Sequence, residues 1–329
     1  MKRIIWNLYD AFRCIADKCP DSCCQGWEVD VDDAAARRYL AMDGALGDRL
    51  RQVLKHQDGQ YYMELEAGRC PMWRQDGLCR LQAEKGHDAL CRVCQEYPRL
   101  YMDFGDFAQW GLELSCPEAA RLIFCGLSAR EEEVPGGDAP EYDAEVMEIL
   151  QGSRAEVLEF VRTTQLEVPQ VLSVLLLYGH QVQSAIDGGE YVSLVPQECL
   201  RELSRFDLPG EVTPLVNFFQ QLEILTNTWK TRLENPCPGQ WDARLKILAE
   251  YLIRRYWLQA VWDYDLVCRV KFILAACIVV NALGGDTVET AQLFAKEIEN
   301  DPDNREAILD AAYTHPAFTD TNLLKALRF

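Results

Sequence analysis

Nine cysteines fall between residues 14 and 116, and they constrain this chain more than any other feature. Cys14, Cys19, Cys23 and Cys24 form a first cluster spaced C-x4-C-x3-C-C; Cys70, Cys79, Cys91 and Cys94, closed by Cys116, form a second. Thiolates are soft ligands, and sets of four suit zinc or an iron–sulfur cluster. Three chemistries compete for such a set. A disulfide framework belongs to secreted chains, usually ones too small to build a core. With 329 residues this chain has length for one or two cores. Simple burial of thiols is the second alternative, and bound metal, which the clustering favours, is the third.

The spacing narrows the choice only in part. Cys91 and Cys94 make a C-x2-C, whose tight turn can direct both sulfurs to one centre. Cys70 and Cys79 flank a turn around Asp76-Gly77. A zinc ribbon would pair two such knuckles, and one is present. Nine cysteines exceed one tetrahedral site and suffice for an iron–sulfur cluster with spare thiols, or for two centres. Cys24 follows Cys23 directly, so the C-x3-C-x2-C pattern that leaves an iron open to S-adenosylmethionine is not met. No G-x-G-x-x-G follows a strand, so no conventional nucleotide-binding loop is expected. Cys125, Cys199, Cys237, Cys268 and Cys277 read as non-ligands, and His56, His87, His180 and His315 as surface or packed histidines.

The formal net charge of −19 argues against nucleic acid, which is bound through clustered Lys and Arg. An acidic field suits a lysine-bearing protein partner, and equally a plainly solvated surface. The opening MKRIIWNLYDAF has too short an apolar run for a signal peptide, and Phe272–Val280 falls far short of the ~20 residues of a membrane span. The expected location is cytoplasmic, with no membrane partner.

The pattern predicts a mainly α protein in two parts. Residues 1–128 form a cysteine-rich metal-binding domain with a small β-hairpin. An acidic Gly-Gly and Pro stretch at 129–142 reads as a linker, and 143–329 as an all-helical domain. In the first part, Asp32 or Asp33 caps a helix through Met42, a second helix covers 45–56, and 61–66 alternates like a strand. A hairpin spans 99–115 with its turn at Gly105-Asp106. Ser115-Cys116-Pro117-Glu118 reads as a capping box with Gly126 as the stop, placing Cys116 at a helix N-terminus, where the dipole favours a thiolate. Helical spacing then covers 144–163, 171–186, 195–206, 214–233, 241–263, 266–283 and 287–300.

The strings FRCIADKCPDSCCQGWEVDVD, GRCPMWRQDGLCRLQAEKGHDALCRVCQEYPRLYMDFG and LELSCPEAARLIF resemble the flagellin lysine-N-methylase family, within a wider cysteine-rich group of zinc or iron chelators. Weaker likeness continues through EYLIRRYWLQAVWDYDLVCRVKF and LFAKEIENDPDN. The resemblance implies methyl transfer from S-adenosylmethionine to lysine ε-amines of flagellin or another protein. It also implies an iron–sulfur cluster of 4Fe–4S type, with zinc as the alternative, on Cys14, Cys19, Cys23, Cys24, Cys70, Cys79, Cys91, Cys94 and Cys116. The competing expectation is a metal- or cluster-binding protein without methyl transfer.

Methyl transfer to lysine needs a neutral amine and a site for a sulfonium, hence carboxylates and aromatic faces. Glu96, Tyr97 and Arg99, Trp27 and Glu28, and Glu118 are candidates. So is the run Arg254, Arg255, Tyr256, Asp263, Tyr264 and Asp265. Against this stand a capping role for Glu118, core packing for Trp27 and an internal salt-bridge set for the run from 254 to 265.

Overall fold

The computed structural model describes residues 1–25, 28–205 and 208–328. Strands β1 (Lys2–Trp6), β2 (Val29–Val31), β3 (Leu54–Gln57), β4 (Gln60–Met63), β5 (Arg99–Asp103), β6 (Phe107–Leu112) and β7 (Ala129–Glu133) build two sheets, ordered β5-β6-β1-β7 and β2-β4-β3. The mainly helical character holds and the strand expected at 61–66 appears as β4, but the β content exceeds that strand and the hairpin. That hairpin is present as β5 and β6, with Gly105 at φ +91 in its turn and its N–H donating to Asp103. The opening strand was not anticipated: KRIIW is too short to show a period, yet β1 runs parallel to β6 and antiparallel to β7. Gly111 makes this junction possible, because a Cβ there would lie 2.5 Å from the Trp6 ring.

Strand β7 occupies the first five positions of the stretch expected to be a linker, and the Met1 ammonium holds the next turn through Val134 O and Gly136 O. The cores divide the chain differently from the sequence expectation. One hydrophobic cluster joins Trp6, Phe12, Leu112 and Ile123 to the helices after residue 143. A second, smaller one lies wholly within residues 29–91, around Val29, Tyr39, Leu50, Met63 and Cys91.

Several helices end, split or change pitch within their expected bounds. The expected helix at 45–56 stops at Val53, after which the chain enters β3. The 214–233 expectation splits into Thr213–Phe219 and Asn227–Glu234, the second capped by the Thr226 hydroxyl, which accepts from Trp229 N. At 241–263 the α-helix is Leu245–Tyr256, tightening to a 3₁₀ turn at Trp257–Val261. At 287–300 an α-helix to Phe294 widens into a π turn, Ala295–Glu299. Ala144–Thr163 matches its expected bounds, and Val267–Leu283 is buried at every position, which is why it shows no amphipathic stripe. Pro302–Thr314 and Asp320–Ala326, beyond the last expected helix, close the bundle. The 195–206 expectation is realised as Pro196–Leu203; its last residue lies outside the described residues. Among the described residues no helix is long and apolar enough to cross a membrane.

Candidate metal centre

The loop after the buried Phe12 carries the first sulfurs. Ala16 at φ +49 and a 3₁₀ turn over Ala16–Lys18 fold the chain back, so that Cys14 Sγ accepts from Ala16 N at 3.4 Å. Asp21 and Ser22 then shape the double cysteine: Asp21 accepts from Ser22 N, and Ser22 Oγ from Cys24 N. Cys24 O in turn accepts from Cys70 N at 2.8 Å, which carries the Cys-Cys pair onto the second cluster.

The second cluster rests on short helices. Cys79 is the N-cap of Arg80–Lys85, and Cys91 that of Arg92–Glu96. Cys116 likewise caps Pro117–Ile123. Asp32 organises the surroundings of Cys91 with one carboxylate: Oδ1 accepts from Ala35 N and Oδ2 from Arg92 N, so it caps the Asp33–Leu40 helix and the helix after Cys91 together. Burial opposes its ionisation, but these N–H donors outweigh it and hold the carboxyl below its ordinary range. Arg38 and Gln95 both donate to Leu90 O, fixing the residue before Cys91.

Electrostatic contact re-sorts the nine sulfurs. Cys116 groups with Cys14 and Cys19. Cys23, which also faces Cys19, and Cys24 group with Cys70, Cys79, Cys91 and Cys94. Two pairs of thiols, Cys23 with Cys24 and Cys91 with Cys94, perturb each other. Cys23 is thereby pulled down to about 7 by Cys24, and Cys91 to about 7 by Cys94, against burial in both cases. Cys24 and Cys94 are pushed up by their neighbouring sulfurs and by burial. Cys116 departs from expectation: burial pushes it up to about 12, and the first-turn N–H groups of Ala119 and Glu118 offset only part of this. No capping box forms there either, because Glu118 turns away to a bidentate pair with Arg121 at 2.7 and 2.8 Å.

The donor chemistry suits a thiolate-bound group. Five soft sulfurs from three separate stretches belong to or pack on one small core, and the buried Tyr39 hydroxyl beside Cys91 has no hydrogen-bond partner of good geometry. Among the described residues, however, no three His, Cys, Asp or Glu side chains converge closely enough to hold a single ion. Cys199, Cys268 and Cys277 are buried apart in the helical region, and Cys125 and Cys237 are exposed.

The other candidate residues separate. Trp27 lies outside the described residues. Glu28 is exposed, and Glu96 pairs with Arg92 at 3.0 Å. Arg99 stacks over Tyr9 and Phe12, and Tyr97 OH meets Ser115 Oγ at 3.1 Å. In the run from 254 to 265, Arg254 binds Glu250, Arg255 and Tyr256 share Glu299, Asp263 holds Arg269, and Asp265 accepts from Tyr313; Tyr264 is exposed. That run is an internal ion-pair and hydrogen-bond set. None of the four histidines joins the sulfurs: His56 packs on Tyr61, His87 lies by Asp88, His180 binds Asp320, and His315 packs on Phe218.

Sequence reading missed the polar seam that seats the cysteine loop. Lys296 Nζ lies 2.8 and 2.9 Å from the two oxygens of Asp21. Gln292 donates to Asp21 and to Ser115 O. The π turn aims Lys296 at this loop while Glu299, three residues on, meets Arg255. Asp21 also borders a cleft of about 220 Å³ beside Cys19, with Asp17, Gln25 and Trp73 in its wall. The placement of Asp21 between cysteines was the available signal; its partner 275 residues away had none.

Comparison with known proteins gives this geometry its relatives. The chain is 30% identical over 119 residues to the flagellar biosynthetic protein FliU of Salmonella muenchen, a match covering 34% of this chain and 70% of that one. The chain belongs to the flagellin lysine methylase family. Two further members, each named lysine-N-methylase, from Salmonella typhimurium and Salmonella choleraesuis, are 29% identical over 119 residues. The match spans 30% of the length of each of these lysine-N-methylases. No family model and no solved structure matches the chain.

Proposed function

We propose that this protein transfers methyl groups from S-adenosylmethionine to lysine ε-amines of flagellin or another protein, with the clustered cysteines holding an iron–sulfur cluster or zinc. The gathering of Cys23 and Cys24 with Cys70, Cys79, Cys91 and Cys94, in a chain whose relatives include proteins named lysine-N-methylase, carries this reading. A metal centre bound there supplies positive charge that keeps its thiolates ionised and ties three chain segments together. Asp32, Arg38 and Gln95 hold the Cys91 segment in place, and Lys296 and Gln292 seat the Cys19–Cys24 loop.

Transfer forms an N–C bond as the donor's S–C bond breaks, so the amine must react without its proton. With an ordinary lysine pKa of ~10.4, deprotonation at pH 7 costs about 4.6 kcal/mol. The cleft beside Cys19 suits the approach of such a cation, because Asp17, Asp21 and Trp73 offer carboxylates and an aromatic face. The test is direct. Anaerobically purified protein, given methyl-labelled S-adenosylmethionine and flagellin, is expected to label flagellin lysines, and Cys23→Ser, Cys24→Ser protein is not. Metal-loaded protein that labels no lysine would leave the second reading, a metal- or cluster-binding protein without transfer. Its support is the short match to the lysine-N-methylases and the lack of a glycine-rich nucleotide loop.

A further inference from the structure

The helical region contains a charge imbalance that the cysteines do not touch. Two guanidinium groups, on Arg162 and Arg254, share one carboxylate, Glu250, and a third, on Arg154, lies near Arg254. Arg162 donates to Glu250 Oε1 at 2.6 and 2.9 Å, and Arg254 Nε donates to the same oxygen at 2.9 Å. Arg162 also reaches Leu127 O at 2.7 Å, so its needs are met. Arg154 has no carboxylate among the described residues; its one hydrogen bond runs from Nη1 to Gln109 Oε1 at 2.9 Å. Gln109 is 2% exposed, and its own Nε2 has no partner.

Such a group is expensive to leave alone. A buried charge needs a partner, and an unmet buried donor calls for one as well, often a water or ion. Burial, with Arg254 nearby, drags the Arg154 pKa down to about 9, yet an arginine keeps its proton at neutral pH. The unpaired nitrogens are reachable: Arg154 is partly exposed, and neither its free N–H groups nor the Nη atoms of Arg254 are among the sealed orphan atoms. Local positive charge of this kind stands out in a chain of net charge −19.

We propose that Arg154 and Arg254, with the Gln109 amide beside them, bind a small oxyanion: a carboxylate or phosphate group carried by a ligand. Guanidinium forks match both groups bidentately. The site includes none of the clustered cysteines. A carboxylate-bearing cofactor such as S-adenosylmethionine is one source of the anion, and free phosphate another.

Thermal unfolding and calorimetry of the full chain with inorganic phosphate, at ionic strength held constant with chloride, test the proposal. Wild-type protein is expected to bind phosphate and melt higher with it. Arg154→Leu is expected to melt no lower than wild type without phosphate, since it removes an uncompensated charge, and to bind phosphate at least about tenfold more weakly, a loss of ~1.4 kcal/mol. Should Arg154→Leu fail to fold, Arg154→Lys, which keeps a charge but loses the fork, is expected to show a reduced shift. Phosphate that competes with S-adenosylmethionine identifies the cofactor's carboxylate as the natural anion; Arg154-dependent phosphate binding without competition identifies a separate one. A wild type that responds to phosphate no more than to chloride, or an Arg154→Leu protein that responds as wild type does, overturns the proposal.

Discussion

The two hydrophobic cores of this protein are built on different terms. The larger one closes around the Val267–Leu283 helix, buried along its whole length and flanked by Phe219, Trp229, Tyr251 and Phe294. The smaller one has fifteen buried residues, two of which are Cys70 and Cys91, with Cys24, Cys79 and Cys94 packed against them. Its helices near the sulfurs are five and six residues long, and the cysteines at their N-caps close no capping hydrogen bond. Isolated helices of that length do not hold themselves in water. Apolar burial carries the large core, whereas the small one has fewer apolar residues and shorter helices near its cysteines.

Removing those sulfurs tests this difference most severely. Cys23→Ser with Cys24→Ser, or Cys91→Ser with Cys94→Ser, is expected to lose bound metal and unfold the small core, given that structural metal sites supply on the order of 10 kcal/mol. Cys199→Ser, Cys237→Ser, Cys268→Ser and Cys277→Ser are expected to keep the metal. Metal analysis with circular dichroism reads both outcomes. Iron with acid-labile sulfide in anaerobic preparations supports a cluster, and stoichiometric zinc without iron supports the zinc alternative. Full metal content in either double variant would break the comparison.

The converse substitution is Phe294→Ala, in a fully buried position against Phe219, Trp229 and Phe272. It is expected to cost about 3–5 kcal/mol of global stability while metal content per folded molecule stays unchanged. Denaturant melts with parallel metal assays would expose any wider coupling. Asp32→Ala comes next. Loss of two caps from one carboxylate is expected to cost roughly 1–2 kcal/mol, felt as faster amide exchange around Tyr39 and Cys91 and not in the Val267–Leu283 helix.

Acid response sharpens the contrast from the helical side. The His180 imidazole, hydrogen-bonded to Asp320 and assisted by Lys271, holds that carboxyl at about 2, below its ordinary 3.8. A carboxyl depressed in the folded state stabilises above its unfolded pKa and loses that contribution as pH falls through its folded one. Wild type is thus expected to melt higher than Asp320→Asn near neutral pH, the gap closing between pH 3.8 and about 2. An unchanged gap at pH 2 would reject the assignment. The smallest effect concerns the exposed stretch from Val134 to Glu141: limited proteolysis is expected there first, with the two fragments co-eluting, because β1, β7 and the later helices share one core. First cleavage between Cys91 and Cys116 would instead mark the cysteine region as the weaker joint.

Much of the helical region was legible in the sequence. Ala144–Thr163 shows clear helical spacing and is bounded as expected, and Asp143 caps it as an Asp should. The hairpin of β5 and β6 was legible through Gly105, and the cap of the Asp33–Leu40 helix through Asp32. Other features left no local trace. β1 is five residues whose pairing partners lie about a hundred residues away, and β7 reads as an acidic loop because it pairs with β1 while four of its five side chains stay exposed. The capping box at Ser115 failed because Arg121 offered Glu118 a stronger partner than the backbone did.

By itself the sequence determined the clustering of cysteines, the mainly helical composition, the family and the acidic character, since these follow from residue type and short-range spacing. Only the tertiary structure decided which sulfurs share a neighbourhood: Cys116 joins Cys14 and Cys19, Cys24 joins Cys70, and Cys23 lies between the two groups. It alone paired Asp21 with Lys296 and, among the described residues, left Arg154 without a carboxylate. The physical reason is the same each time. Ligand sets and ion pairs depend on distances of a few ångströms between side chains tens to hundreds of residues apart, and those distances are set by how the cores pack.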